Sequence, residues 1–180
     1  RELAAAHATV QQQAAQLQQQ TDQLREATTV ENQLIKEGRY VQASDPTETY
    51  LPPISKEEVP YLDFSPMQNA IAAMEQATKA LQEKILRSTL GSADKDRLNK
   101  KLFRAEQQLL LEQGLPRRSW YRHSIYAPGF YTGYGVKTLP GIREAIEQRN
   151  WKEAREQIGL AANAIERFSR YLDETRQSIP

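Results

Sequence analysis

The residues able to do chemistry are few, and their spacing limits what they can do. The chain has two histidines, His7 and His123, and no cysteine. Thiolate nucleophiles, disulfides and cysteine-ligated metals are thereby excluded. Neither histidine lies in an HExxH or Glu-x-x-His pattern, so no protein-encoded zinc or di-iron site is assigned. His123 has Ser119 and Ser124 close in sequence, the raw material for a nucleophile and its base. Neither serine lies on a strand–turn–helix elbow, however. The role adopted for His123 is a hydrogen bond that holds its loop, with an interface or substrate contact as the alternative. His7 reads as a helix-surface or interface residue. The Gly133-Tyr134-Gly135 triplet follows no strand pattern and lacks the Lys-Ser/Thr ending of a phosphate loop. No catalytic and no metal-ligating residue is assigned to the chain.

Contact chemistry is better represented. Between Leu115 and Ile146 lie four of the eight tyrosines (Tyr121, Tyr126, Tyr131, Tyr134), Trp120 and the arginines 117, 118 and 122. Glycines 129, 133, 135 and 141 and prolines 128 and 140 interrupt the stretch. Arginines beside Trp120 and Tyr121 could stack on bases and bind phosphate. The reading preferred here is that they pair with carboxylates across an interface or cap the preceding helix. With 24 basic and 23 acidic residues, the net charge of +1 gives no electrostatic case for nucleic acid or an anionic membrane. Tyrosines, each with an apolar face and one hydroxyl, suit a half-exposed loop pressed against another protein surface.

Helices must position that loop. Residues 1 to about 37 read as one helix, with Leu3, Val10, Leu17 and Leu24 every seven residues and Ala6, Ala14 and Thr21 beside them. Gly38 is its expected stop. Residues 39–64 hold four prolines and three tyrosines without helical period. They are expected to cross over the bundle and pack those tyrosines on it. A second long helix is expected from Ser65 as N-cap, with Pro66 first and Gln68 completing a capping box. Its stripe is Met67, Ile71, Met74, Thr78, Leu81 and Ile85, and Gly91 closes it. A third spans about Ser92 or Ala93 to Gln113 on Leu98, Leu102, Ala105 and Leu109, ended by Gly114 and Pro116. The short junction at Gly91–Ser92 predicts that the second and third lie antiparallel. After the loop come a short helix near Leu139–Gln148 and a long one from Trp151 to about Gln177. Asn150 caps the latter, with Glu153 at the box position. Ile158, Ala161, Ala162, Ile165, Phe168 and Leu172 form its apolar face. The fold class is all-α, a four-helix bundle with a long crossover and one functional loop. No apolar run approaches the roughly 20 residues of a membrane span. The chain opens at Arg1 inside a helical pattern, which predicts a fragment of a longer protein.

The loop carries a resemblance. Leu115-Pro116, Arg118, Tyr121-Arg122-His123, Ile125-Tyr126-Ala127-Pro128 and Leu139-Pro140-Gly141-Ile142, with Ala145 following, resemble the C-terminal helical domain of the glutamate carboxypeptidase II and transferrin receptor family. That domain is known as the transferrin-receptor-like dimerisation domain. The resemblance implies a homodimer, and a zinc peptidase domain of the same parent chain whose cleft the loop reaches. Zinc would belong to that domain, with no cofactor in this one. Family habit implies an extracytoplasmic location. In glutamate-specific members a Lys-Tyr pair in the loop recognises the terminal glutamate. Here those positions are Gly133 and Tyr134. The tyrosine matches, the lysine does not, and Lys137 is the nearest cation that could substitute. The remaining motif residues, Arg118, Tyr121, Arg122, His123, Tyr126, Pro128, Pro140 and Gly141, are expected in the loop or at an interface. The alternative is a free-standing helical interaction module, such as a coiled-coil adaptor.

Overall fold

Apolar spacing decides which face of each helix is buried. The computed structural model describes residues 2–42, 45, 47, 51, 53–131, 133 and 135–180. Helix α1 (Glu2–Lys36) buries His7, Val10, Ala14, Leu17, Thr21 and Thr28, with Leu24 partly covered. These are the alternating three- and four-residue steps of a heptad seam. His7 stands seven residues before Ala14, so it occupies a buried seam position, where the sequence reading had put it on the helix surface or at an interface. Its Nε2 lies 3.8 Å from Glu75 Oε2 on the next long helix. Thr21 fits the seam because its hydroxyl donates to the Leu17 carbonyl at 2.7 Å. Gly38, with φ of +68°, ends the helix as expected.

A short helix α2 (Arg39–Gln42) opens the crossover. Further along, Asn32 of α1 and the Lys56 main chain exchange two hydrogen bonds, at 2.8 and 2.9 Å. The anchors of the crossover differ from those expected. Val59, Leu62 and Phe64 are buried in the core, whereas Tyr61 is exposed and lies against the Arg25 guanidinium. Tyr40 is half-buried, and Tyr50 lies outside the described residues. A phenol hydroxyl needs a partner when buried, and these wholly apolar side chains do not.

Helix α3 (Ser65–Arg87) begins with Pro66 in its first turn, but the capping box does not form. Asp63 does the capping, accepting from the Ser65 amide at 2.9 Å and the Ser65 hydroxyl at 2.5 Å. Gln68 instead donates to Gln18 Oε1 of α1. The helix stops at Arg87, four residues before Gly91, where Ser88 turns extended. Helix α4 (Ser92–Ala105) is also shorter than expected and runs into a 3₁₀ turn, Glu106–Leu109. Leu110 is extended and forms an antiparallel bridge with His123. Arg167 of the last helix donates to the Gln108 and Leu110 carbonyls. That cation caps the end of this segment, a role expected of Arg117, Arg118 or Arg122. Helix α4 packs on the last helix, not along α3 as the short junction had suggested.

Helix α5 (Pro140–Glu147) leads to α6 (Trp151–Gln177). Asn150 Oδ1 accepts from the Glu153 amide at 3.2 Å, the expected N-cap. Helix α6 is the centre of the fold, packing on α3, α5, α4 and the 3₁₀ turn, while α1 packs on α3. Ile165 and Leu172 are fully buried. Burying one such side chain stabilises the fold by about 1.5–3 kcal/mol. The architecture is all-α and bundle-like. Its one sheet among the described residues is a ribbon of β1 (Tyr126–Pro128) and β2 (Val136–Thr138), antiparallel with Ala127 opposite Lys137. None of the helices formed by the described residues is long and apolar enough to cross a membrane.

Candidate functional loop

The loop is built on its own backbone before any side chain is considered. Leu111 and Leu115 amides donate to the Arg122 and Tyr121 carbonyls, both at 2.8 Å, and Ser124 donates to Leu109 at 3.0 Å. Gly114 makes the first turn with φ of +69°. A Cβ there would meet the Ser119 carbonyl oxygen at 2.2 Å, so only glycine fits. Arg117 is also left-handed, and this turn directs Arg117 and Arg118 to different carboxylates.

Arg118 is buried. Its Nη2 donates to both oxygens of Glu144, at 2.7 and 2.8 Å, and its Nη1 donates to the Pro128 carbonyl. Glu144 is buried too, and accepts the Phe130 amide at 2.8 Å. Arg117 makes a two-pronged pair with Glu153 at 2.9 and 2.8 Å. That hydrogen-bonded partner holds the Arg117 pKa above its ordinary value. Arg117 and Arg118 pair with carboxylates of this chain, whereas the sequence reading placed their carboxylates across an interface. Glu144 escaped the sequence reading, and Glu153 was read only as the box residue of the Asn150 cap. The visible signal was a carboxylate between the apolar residues of Gly141–Ile146, downstream of three arginines.

His123 holds the base of the loop. Its Nδ1 accepts from the Ile125 and Tyr126 amides at 3.2 and 3.1 Å, so the neutral ring carries its proton on Nε2. Nε2 faces Glu106 Oε1 at 3.4 Å. Burial lowers the His123 pKa below its ordinary value, and attraction to Glu106 opposes the shift. The Tyr126 ring stacks on the imidazole with centroids 6.0 Å apart. Arg122 donates through Nε to the Leu111 carbonyl at 3.0 Å.

The other motif residues divide into supports and surface. Pro140 and Gly141 are buried where α5 meets α6, and a Cβ on Gly141 would meet the Gln157 side chain at 2.3 Å. Leu139 takes a left-handed conformation before them, its amide on the Ile125 carbonyl at 2.7 Å. Pro128 is half-buried, while Tyr121, Arg122 and Tyr126 are exposed. The tip closes through Gly129, which donates to Gly135 at 2.9 Å and accepts from Gly133 at 3.0 Å. Gly133 has φ of +66°. Tyr134, the residue matched to a substrate contact, lies outside the described residues. Lys137 is bound by Glu147 Oε2 at 2.5 Å, so its ammonium already has a carboxylate partner.

What this arrangement offers is contact. Trp120, Tyr131 and Val136 are about 70% exposed, and Phe130 packs edge-on against Tyr131. Exposed apolar and aromatic side chains on an anchored loop make a surface for another protein or another domain. No group of three or more His, Cys, Asp or Glu among the described residues is placed to hold a metal ion.

Comparison with known proteins identifies the same region. The family model of the transferrin receptor-like dimerisation domain matches residues 62–173. A probable glutamate carboxypeptidase of Arthroderma benhamiae is 34% identical over 115 residues, covering 62% of this chain and 16% of that protein. One from Arabidopsis thaliana is 31% identical over 117 residues, covering 60% and 17%. A putative zinc metalloprotease of Saccharomyces cerevisiae is 31% identical over 86 residues, covering 43% and 11%. The alignments thus span about a sixth or less of each relative's length.

Proposed function

The chain belongs to the transferrin receptor-like dimerisation domain family, and from that premise we propose that it is the non-catalytic homodimerisation domain of a zinc metallopeptidase. On this reading the chain is one helical domain of a larger parent, and its 115–146 loop completes the substrate cleft of the peptidase domain. Zinc and the catalytic groups belong to that other domain. The observation that carries the cleft reading is the loop's division of labour. Its backbone is tied down at the base by His123 and beside Gly129 by the buried Arg118–Glu144 pair, while the side chains of Phe130, Tyr131 and Val136 stay exposed. A rigid base with an apolar, aromatic tip is suited to a preformed contact that spends little entropy on ordering.

The same loop argues against a terminal glutamate as the favoured substrate. Gly133 replaces the lysine, and the nearby cations Arg117, Arg118 and Lys137 are each engaged by a carboxylate of this chain. A substrate carboxylate would have to displace one of those partners. Kinetics on the intact protein test the reading. Tyr134→Phe should change KM for several dipeptides while kcat holds, because it removes one hydroxyl from a binding loop. An unchanged KM across the series would remove the loop from the cleft. The dimer should bury at least about 1,000 Å² between helical faces to be stable.

A further inference from the structure

Glu144 gathers the tip of the loop onto one carboxylate. It is 1% exposed and both oxygens are used. Oε1 accepts the Phe130 amide at 2.8 Å and Arg118 Nη2 at 2.7 Å, and Oε2 accepts from that same nitrogen at 2.8 Å. The other terminal nitrogen of Arg118 donates to the Pro128 carbonyl. The two main-chain groups that flank Gly129 are therefore both fixed to one ion pair. Gly129 in turn holds Gly133 and Gly135 through its own carbonyl and amide. The Phe130 ring stands 5.7 Å from the Arg117 guanidinium and 5.8 Å from that of Arg118. A buried ion pair is a poor device for stability alone, since apolar side chains of equal volume commonly do as well. Apolar side chains could not hold a carbonyl and an amide at fixed positions.

We propose that Arg118 and Glu144 are positioning residues for the 129–135 tip. They set its conformation, and through it the affinity for what the tip contacts, more than they stabilise the bundle. The affinity part rests on the cleft-completing reading above; the ordering part stands without it.

Hydrogen exchange of the intact protein, read by mass spectrometry over 129–135, tests the ordering. The variants are Glu144→Gln and the double variant Arg118→Met with Glu144→Leu. In both, exchange at the tip should accelerate by roughly tenfold or more, the loss of a charge-assisted hydrogen bond to a buried acceptor. Protection of α6 amides around Ile165 should be kept in the double variant, since no buried charge is left unpaired. A merely structural pair would instead show the tip restored along with the bundle. KM for dipeptides ending in glutamate and in leucine should rise severalfold, with kcat within about twofold of wild type. Faster exchange with KM unchanged supports the positioning role and overturns the cleft reading. Unaltered exchange at the tip, in a variant whose α6 protection is intact, overturns the proposal. If the double variant loses that protection, Glu144→Gln, which keeps the side-chain volume, decides by the same criterion.

Discussion

One methyl group at Gly114 should distort the loop from its first turn, and the size of the effect can be worked from three distances and an angle. Gly114 has φ of +69°, and an L-residue held there costs about 1–2 kcal/mol. Its Cβ would also stand 2.2 Å from the Ser119 carbonyl oxygen, 2.6 Å from the carbon and 2.7 Å from Cα. All three are backbone atoms, so no rotamer change relieves them and the 115–121 turn must shift. Overpacking of that kind adds about 1–3 kcal/mol. Gly114→Ala should therefore cost about 2–5 kcal/mol, a large part of the roughly 5–15 kcal/mol that holds a domain together. Gly133 supplies the control. Its φ is +66°, but among the described residues no atom lies within 4 Å of a Cβ built there. Gly133→Ala should show the conformational cost alone, about 1–2 kcal/mol. Urea unfolding of both variants, followed by circular dichroism and compared at equal slope, measures the difference. Equal costs at the two glycines would refute the claim that backbone contact dictates the turn.

Three further outcomes are expected. Ile165→Asp should unfold the bundle, because it places an unpaired carboxylate at a fully buried position of α6, at a cost of several kcal/mol; a cooperative thermal transition within a few degrees of wild type would contradict this. His123 has its folded pKa pushed below the usual 6.5 by burial, so its contribution is full above about pH 6.5 and is lost as pH falls toward the folded pKa. That acid-side loss should vanish in His123→Asn, whose amide oxygen can accept the Ile125 and Tyr126 amides without titrating; a profile identical to wild type would sink the assignment. Arg149→Ala removes the bonds to the Glu57 carbonyl and Thr28 hydroxyl, and should raise protease cleavage within 53–60 several-fold. Unchanged cleavage would show that Arg149 does not hold the crossover.

How much of this was legible in the sequence depends on the range of the interaction. The stripes of α1, α3 and α6 were legible because helical period and burial agree over many turns. Asn150 was legible because a cap acts over three residues. The ends of α3 and α4 were not. Helix α4 gives way to a 3₁₀ turn where Leu110 bridges to His123 and Arg167 reaches back from 57 residues away. The three-residue strands are too short to show alternation. Ser65 looked like a cap, but Asp63, two residues earlier, competes better for its amide. His7 was misplaced, although its place seven residues before Ala14 puts it in the buried seam. For the loop, the motif positions were readable while their partners were not. Glu144 and Glu153 meet Arg118 and Arg117 only once α5 and α6 have packed behind the loop.

The central claim is that this chain brings two copies of its parent together. Sedimentation equilibrium of the intact protein at micromolar concentration tests it most directly. A mass twice that of the single chain, lost when helix-face residues are replaced by charge without unfolding, is the predicted result. A single-chain mass persisting to hundreds of micromolar would contradict it.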